Sequence, residues 1–269
     1  LSRLRRLFFL PSLWVALEYL RGTLFTGFGW VTLGHSQYKN LVMIQIADVT
    51  GLYGVSFLVV MMNVLLKDVC ELFLARKKTV KEFVFPVTAG LVLLTLSAVY
   101  GLFRLQSLKT SPGPFVAVIQ ADIAQSEKWE RSRWPGIMKK YRDLTQEAAL
   151  RHPDLLLWPE TSFPGFVWEA PELFSQLKDD VRRLRIPLLL GVVTQNNDRY
   201  YNSALLIEPS GAVGPRYDKL HLVPFGEYVP LRGVFPFLSD IVPIGDFTPG
   251  KEHTLFSLPL KGEEGPGPP

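Results

Sequence analysis

The chain has little of what most metal and thiol sites require. It contains one cysteine, Cys70, so no disulfide can close within it. Its four histidines (His35, His152, His221 and His253) are scattered, with no HExxH pattern and no paired Cys/His spacing. A serine nucleophile has no motif either: Gly54-Val55-Ser56 lacks the second glycine of GxSxG. No internal repeat is present, and no small-residue cleavage site follows the first apolar run, which argues against a signal peptide. The first residue is Leu1 rather than methionine, so the natural start is expected upstream.

What the chain has in quantity is apolar residues, 48% of its 269 positions, alongside 20% charged ones. That mixture, with a mean hydropathy of +0.16, fits a membrane segment joined to a water-soluble domain better than either alone. The net charge of +4 does not point to nucleic acid, because much of the basic charge flanks apolar runs. Three such runs occur: Phe8 to Phe25, Leu41 to Leu66, and Phe83 to Phe103. The last carries no charge and is long enough to cross a hydrocarbon core of roughly 30 Å; a buried core helix is its alternative. Asp48, Thr50 and Gly51 suit an interrupted helix in the second run, and Glu18 and Arg21 in the first are spaced to pair on one helix face. Arg3, Arg5 and Arg6 precede the first run, and Lys67, Arg76, Lys77, Lys78 and Lys81 separate the second from the third. The positive-inside rule puts both basic segments in the cytoplasm and sends everything after Phe103 to the outer face.

Beyond the Ser111-Pro112-Gly113-Pro114 linker the texture changes. Phe115 to Gln120, Leu155 to Trp158, Leu188 to Val193 and Ser203 to Ile207 read as short strands. Ile137, Tyr141, Leu144 and Ala148 form one helical stripe, and Leu173, Leu177, Val181 and Leu184 another. Strands alternating with helices predict an α/β domain with its functional residues at strand ends. The expected organisation is a helical membrane portion over residues 1–110, an α/β domain over 111–259 and a tail over 260–269.

Two stretches stand out. Leu155-Leu156-Leu157-Trp158-Pro159-Glu160 is an apolar strand that stops at proline and presents a carboxylate. Tyr217-Asp218-Lys219 through Pro230 sets Lys219 and Glu227 around an apolar stretch punctuated by Pro224 and Gly226. A carboxylate at a strand end can act as general base, and a lysine can hold an oxyanion. Taken singly, each is better explained as a surface charge.

Together and in this order, the two stretches resemble the glutamate and lysine motifs of the nitrilase superfamily. The string HLVPFGEYVP (His221 to Pro230) is similar to the apolipoprotein N-acyltransferase family in particular, as are Phe25-Thr26-Gly27-Phe28-Gly29-Trp30 and Gly34-His35-Ser36-Gln37. The resemblance implies an α-β-β-α sandwich and a Glu-Lys-Cys triad. It also implies transfer of an acyl chain from a phospholipid to the N-terminal amine of a diacylated lipoprotein. Carried over, Glu160 is the general base, Lys219 the oxyanion holder and Glu227 a supporting carboxylate. Trp129, Phe225 and Tyr228 would meet substrate. No cofactor or metal is implied, and the enzyme would be a multi-pass monomer of the bacterial inner membrane with its soluble domain in the periplasm.

The family's cysteine is expected a few tens of residues after the lysine, in an ICYE-like motif that does not occur up to Pro269. Cys70 is expected on the opposite side of the membrane. The sequence therefore reads as a piece truncated at both ends and inactive by itself. A membrane-tethered C–N hydrolase and a non-catalytic remnant are the alternatives. The apolar segment Pro230 to Ile244, with Phe235, Phe237, Leu238, Ile241 and Val242, favours contact with acyl chains over the hydrolase, although an ordinary buried loop would read the same way.

Overall fold

The computed structural model describes residues 2–24, 27–74, 81–124, 126–230 and 246–258. The segment holding Phe235 to Val242 and the tail from 259 onward lie outside the described residues. The chain divides into two compact units, Leu1–Ser111 and Pro112–Pro269.

The first unit is helical: α1 (Arg3–Thr23), α2 (Ala47–Leu74) and α3 (Lys81–Ser107). The Ser2 hydroxyl caps α1 by accepting from the Arg5 amide. Gly51 interrupts α2 with φ 62° and ψ −172°, a left-handed backbone that glycine enters without steric cost. This is the interruption expected around Thr50 and Gly51. Leu7 of α1 meets Leu58, Met61, Val64 and Leu65 of α2 in a small buried cluster, with Val87, Leu93 and Leu94 of α3 packed on it.

Among the described residues two helices, Met43–Leu74 and Phe83–Ser107, are long and apolar enough to cross a membrane. Only 33% and 22% of their most apolar windows are buried, which is too little for the core helices of a soluble protein. Helix α1 forms over nearly the range expected of the first run but carries Arg3, Arg5, Arg6, Glu18 and Arg21. Glu18 and Arg21 turn to the following loop rather than closing an ion pair of their own. Glu18 accepts from the Leu33 amide at 2.7 Å and the Trp14 indole at 2.9 Å, and Arg21 donates to the Trp30 carbonyl at 3.0 Å.

The second unit holds β1 (Val116–Val118), α4 (Trp134–Ala149), β2 (Leu155–Leu157), α5 (Pro171–Leu184), β3 (Leu188–Asn196), β4 (Arg199–Ile207) and β5 (Val213–Asp218). The strands form one mixed sheet in chain order. β1, β2 and β3 run parallel through the α4 and α5 crossovers, and β3, β4 and β5 run antiparallel. Asn197 and Asp198, both at positive φ, make the two-residue turn that joins β3 to β4. Leu188, Leu190 and Val192 alternate onto one face of β3. There they join Ile137, Met138 and Tyr141 of α4 and Leu177 and Val181 of α5 in the main core. An Arg142–Asp180 hydrogen bond of 3.0 Å ties α4 to α5. The opposite face of the sheet, through Gly191 and Asn202, carries the polar residues described next.

Candidate active site

The placement of Glu160 begins with Trp158. Its ring stacks on Tyr141 of α4 at 4.5 Å between centroids, and its indole N–H donates to the buried Thr145 hydroxyl at 2.9 Å. This anchor fixes the end of β2 and the direction in which Pro159 and Glu160 leave it. The chain then crosses directly over β3. The Gly191 amide donates to the Pro159 carbonyl at 3.2 Å, and the Gly191 carbonyl accepts from the Ser162 amide at 2.9 Å. A Cβ on residue 191 would lie 2.5 Å from the Pro159 oxygen and 2.6 Å from the Glu160 Cα, so the crossing requires glycine.

Lys219 directly follows β5, and its amide donates to the Asn202 carbonyl of β4 at 2.8 Å. Glu227 sits on a tight loop in which the Gly226 and Glu227 amides both donate to the Val223 carbonyl, at 3.1 and 2.9 Å. The three side chains converge. Lys219 Nζ lies 3.1 Å from Glu160 Oε1 and 2.9 Å from Glu227 Oε1. Between them stands Asn202, whose Nδ2 donates to Glu160 Oε1 at 2.5 Å and to Glu227 Oε1 at 2.7 Å. The second Glu227 oxygen accepts from the Val223 amide at 2.8 Å.

Both residues follow strand ends, as expected, but the two strands are not neighbours. Two strands, β3 and β4, separate β2 from β5. The residues still meet because the Glu160 segment passes over Gly191 toward β4, where Asn202 bridges the remaining distance.

Exposure separates the two carboxylates. The Glu160 side chain is 61% exposed and faces a cleft of about 230 Å³, whereas Glu227 is 12% exposed. Leu189, Gly191, Asn202, Tyr217 and Lys219 line the same cleft. Burial by itself would raise the Glu227 pKa. The Val223 amide, Lys219 and Asn202 outweigh it and hold the carboxyl below its usual range. Burial likewise disfavours the Lys219 ammonium, but its bonds to Glu227 and Glu160 prevail and raise its pKa. Lys219 is therefore a fixed cation with three donors, two of which are directed at the carboxylates. Glu160 is the accessible carboxylate, and Glu227 is bonded to both the lysine and the asparagine.

The other three residues singled out from sequence do not line that cleft. Trp129 is 47% exposed and meets Phe166 at 5.8 Å. Phe225 is 54% exposed at the tip of the Glu227 loop, where its amide donates to the Tyr228 carbonyl at 2.8 Å. Tyr228, half-buried, pairs with Pro224 across that loop. Asn202 was not anticipated, because the apolar run reads as a strand only from Ser203. The burial of Asn202 is set by the pairing of β4 with β3, and no local pattern in the sequence announces it.

Comparison with known proteins bears on this arrangement. Residues 115–259 match the family model for carbon-nitrogen hydrolase. The chain belongs to that family. Residues 1–65 match a second family model, apolipoprotein N-acyltransferase N-terminal domain, so both units of this carbon-nitrogen hydrolase chain have counterparts. The apolipoprotein N-acyltransferase of Geobacter metallireducens is 42% identical over 249 residues, covering 90% of this chain and 47% of that protein. Its namesake from Methylococcus capsulatus is 34% identical over 254 residues, 91% of this chain and 47% of the relative. The chain spans about half the length of these curated relatives. Among solved structures, an amidase from Nesterenkonia sp. aligns with 18% identity and a TM-score of 0.38, covering 54% of this chain and 52% of that one.

Proposed function

We propose that this chain carries the base and the oxyanion-binding lysine of an enzyme that moves an acyl chain from a membrane phospholipid to the N-terminal amine of a diacylated lipoprotein. The observation that carries the reading is the meeting of Glu160 and Lys219 at 3.1 Å in a cleft backed by Glu227 and Asn202. Similarity to the apolipoprotein N-acyltransferases and two helices apolar enough to cross a membrane support it. In this reading a cysteine thiol loses its proton to Glu160 and its sulfur attacks the phospholipid ester carbon. The carbonyl electrons move onto oxygen, which Lys219 stabilises. Collapse expels the lysophospholipid alkoxide, which takes the proton back from Glu160 and leaves a thioester. The lipoprotein amine then attacks the thioester and gives its proton to Glu160. The amide forms, and the released thiolate recovers that proton. Glu227 and Asn202 position the two reacting groups, and the scheme uses no cofactor.

The nucleophile is the part these residues do not supply, since the sole cysteine is Cys70 in α2. The 269-residue chain is therefore expected to give no N-acylation of a diacylated lipopeptide in phospholipid–detergent micelles. A polypeptide extended by the family's cysteine-bearing segment and preceding helices is expected to give it. Turnover by the shorter chain would refute the thioester scheme. Release of ammonia from small amides by the longer one, without lipopeptide acylation, would favour a membrane-tethered hydrolase.

Counting α1 as a third crossing, the basic residues Arg3, Arg5 and Arg6 and those between α2 and α3 place both of these segments in the cytoplasm. The second unit is then periplasmic, Cys70 lies near the opposite surface, and the enzyme works as a monomer in the inner membrane. Alkaline phosphatase fused after Ser111 should be active and after Lys77 inactive; the reverse pattern would refute this topology.

A further inference from the structure

Four aromatic rings from three separate segments of the second unit meet beside the cleft. Phe166, on the loop between β2 and α5, stacks on Trp168 with centroids 4.6 Å apart and planes 18° apart. It lies 5.7 Å from Tyr200 at the start of β4 and 5.8 Å from Trp129, ahead of α4. Trp168 and Tyr200 close the group at 6.1 Å and 30°. This is not core packing, because Trp129, Trp168 and Tyr200 remain 47%, 41% and 39% exposed. Leaving that much aromatic surface in water forgoes about 25 cal/mol for each Å² left unburied, and contiguous exposed apolar surface of this kind marks binding sites.

The rings are continuous with the carboxylate–lysine site. Tyr200 precedes Asn202 by two residues on β4, so both side chains leave the same sheet face about 7 Å apart. Phe166 pairs through its backbone with Val193, which lies opposite Asn202 in the β3–β4 register. The chemistry of the patch is apolar. Beside it, Arg131 and Glu169 are paired with each other at 2.9 Å. Phe166, Trp168 and Tyr200 lie within 35° of one another, with Trp129 tilted at 51° to Phe166. Such an apolar aromatic surface suits an extended hydrocarbon chain better than a headgroup or a peptide.

We infer that Trp129, Phe166, Trp168 and Tyr200 form a ledge that holds a fatty-acyl chain whose carbonyl carbon lies at Glu160 and Lys219. This rests on the acyl-transfer reading and adds the side chains that meet the acyl group. Phe166 is the central ring, and Trp168 and Tyr200 set how well a long chain is held relative to a short one.

The test uses the 269-residue chain in phosphatidylethanolamine–phosphatidylglycerol nanodiscs containing a phospholipid with a diazirine in one acyl chain. After illumination and digestion, adducts in the second unit are expected to concentrate on Trp129, Phe166, Trp168 and Tyr200. The double variant Trp168→Ala/Tyr200→Ala should lower adduct yield at Trp129 about tenfold, equivalent to ~1.4 kcal/mol. Trp168→Phe/Tyr200→Phe, which keeps the rings and controls for folding, should retain the yield. Adducts spread evenly over Leu150, Val213 and Leu255 would overturn the ledge, as would an unchanged yield in the double alanine variant. The two readings fail separately. Ring adducts without lipopeptide acylation by the cysteine-bearing polypeptide would sink the acyl-transfer reading alone, whereas acylation without ring adducts would sink the ledge alone.

Discussion

Lys219→Ala, made in a polypeptide that also carries the cysteine-bearing segment, is expected to lower acyl transfer by about 10²- to 10³-fold, the usual effect of removing one oxyanion donor. Glu160→Gln should lower it by about 10²- to 10⁴-fold, the usual contribution of a positioned general base. The two losses should differ in a second measurement. Lys219 is the cation between Glu160 and Glu227, at 3.1 and 2.9 Å. Removing it leaves two carboxylates sharing the Asn202 amide without the cation that pairs with both. Glu227 is 12% exposed, so its charge is poorly compensated by water, and Lys219→Ala should also melt at a lower temperature. Glu160→Gln removes one of the two negative charges and should melt near the parent.

The pH dependence follows from the direction of the Glu227 shift. A carboxyl held below its usual range contributes stability that is fully present above the unfolded-state value and is lost as pH falls through the folded value. Lys219→Ala removes one of the groups that lower it, so the advantage of neutral over acidic pH should shrink in that variant. Thermal melts across the acidic range decide this. If Lys219→Ala kept the parent's rate and the parent's pH dependence of melting, the lysine would have neither role.

Glu160 was legible because it stands where an apolar run yields to proline, whereas Lys219 and Glu227 were legible through the resemblance of the Tyr217 to Pro230 stretch to a family motif. Leu155 to Glu160 announces a strand end in six letters, and His221 to Pro230 fixes a loop. Gly51 was legible for a local reason as well, since a glycine amid Asp48 and Thr50 marks a break in an apolar helix. What escaped depends on contacts between distant segments. Asn202 acquires its role only once β4 is registered against β3, with Asn202 opposite Val193. β5 escaped because Val213-Gly214-Pro215-Arg216 has poor strand propensity. It is admitted by a bulge, where two residues, Gly214 and Pro215, stand opposite Leu206 alone. The pairing of Glu18 with the Leu33 amide is of the same kind, since nothing near Glu18 in the sequence announces a partner fifteen residues on.

Gly191→Ala is expected to be among the most damaging single-methyl additions in the second unit. The new Cβ would stand 2.5 Å from the Pro159 oxygen, 2.5 Å from the Thr161 nitrogen and 2.6 Å from the Glu160 Cα. All three are backbone atoms, so no side-chain rotation relieves the contact. The segment is also held from both sides. Trp158 is locked into the α4 core by Tyr141 and Thr145, and the Ser162 and Phe163 amides donate to the Gly191 carbonyl at 2.9 and 3.2 Å. The strand itself is fixed by the core residues Leu190 and Val192 on either side. The Pro159–Thr161 backbone must therefore lift away from β3, carrying the Glu160 carboxylate off Lys219 and Asn202. Overpacking of this kind costs about 1–3 kcal/mol, and a ~1 Å displacement of a reacting group costs about 10²-fold in rate. Gly136→Ala is the matched control, because a Cβ there meets nothing within 4 Å and alanine favours helix α4. The comparison needs thermal melts of both variants and single-turnover acyl transfer in the cysteine-bearing polypeptide. Gly136→Ala should match or slightly exceed the parent in stability and keep its rate, and Gly191→Ala should lose both. Parent-like melting and transfer by Gly191→Ala would mean that the crossing over β3 does not set the position of Glu160.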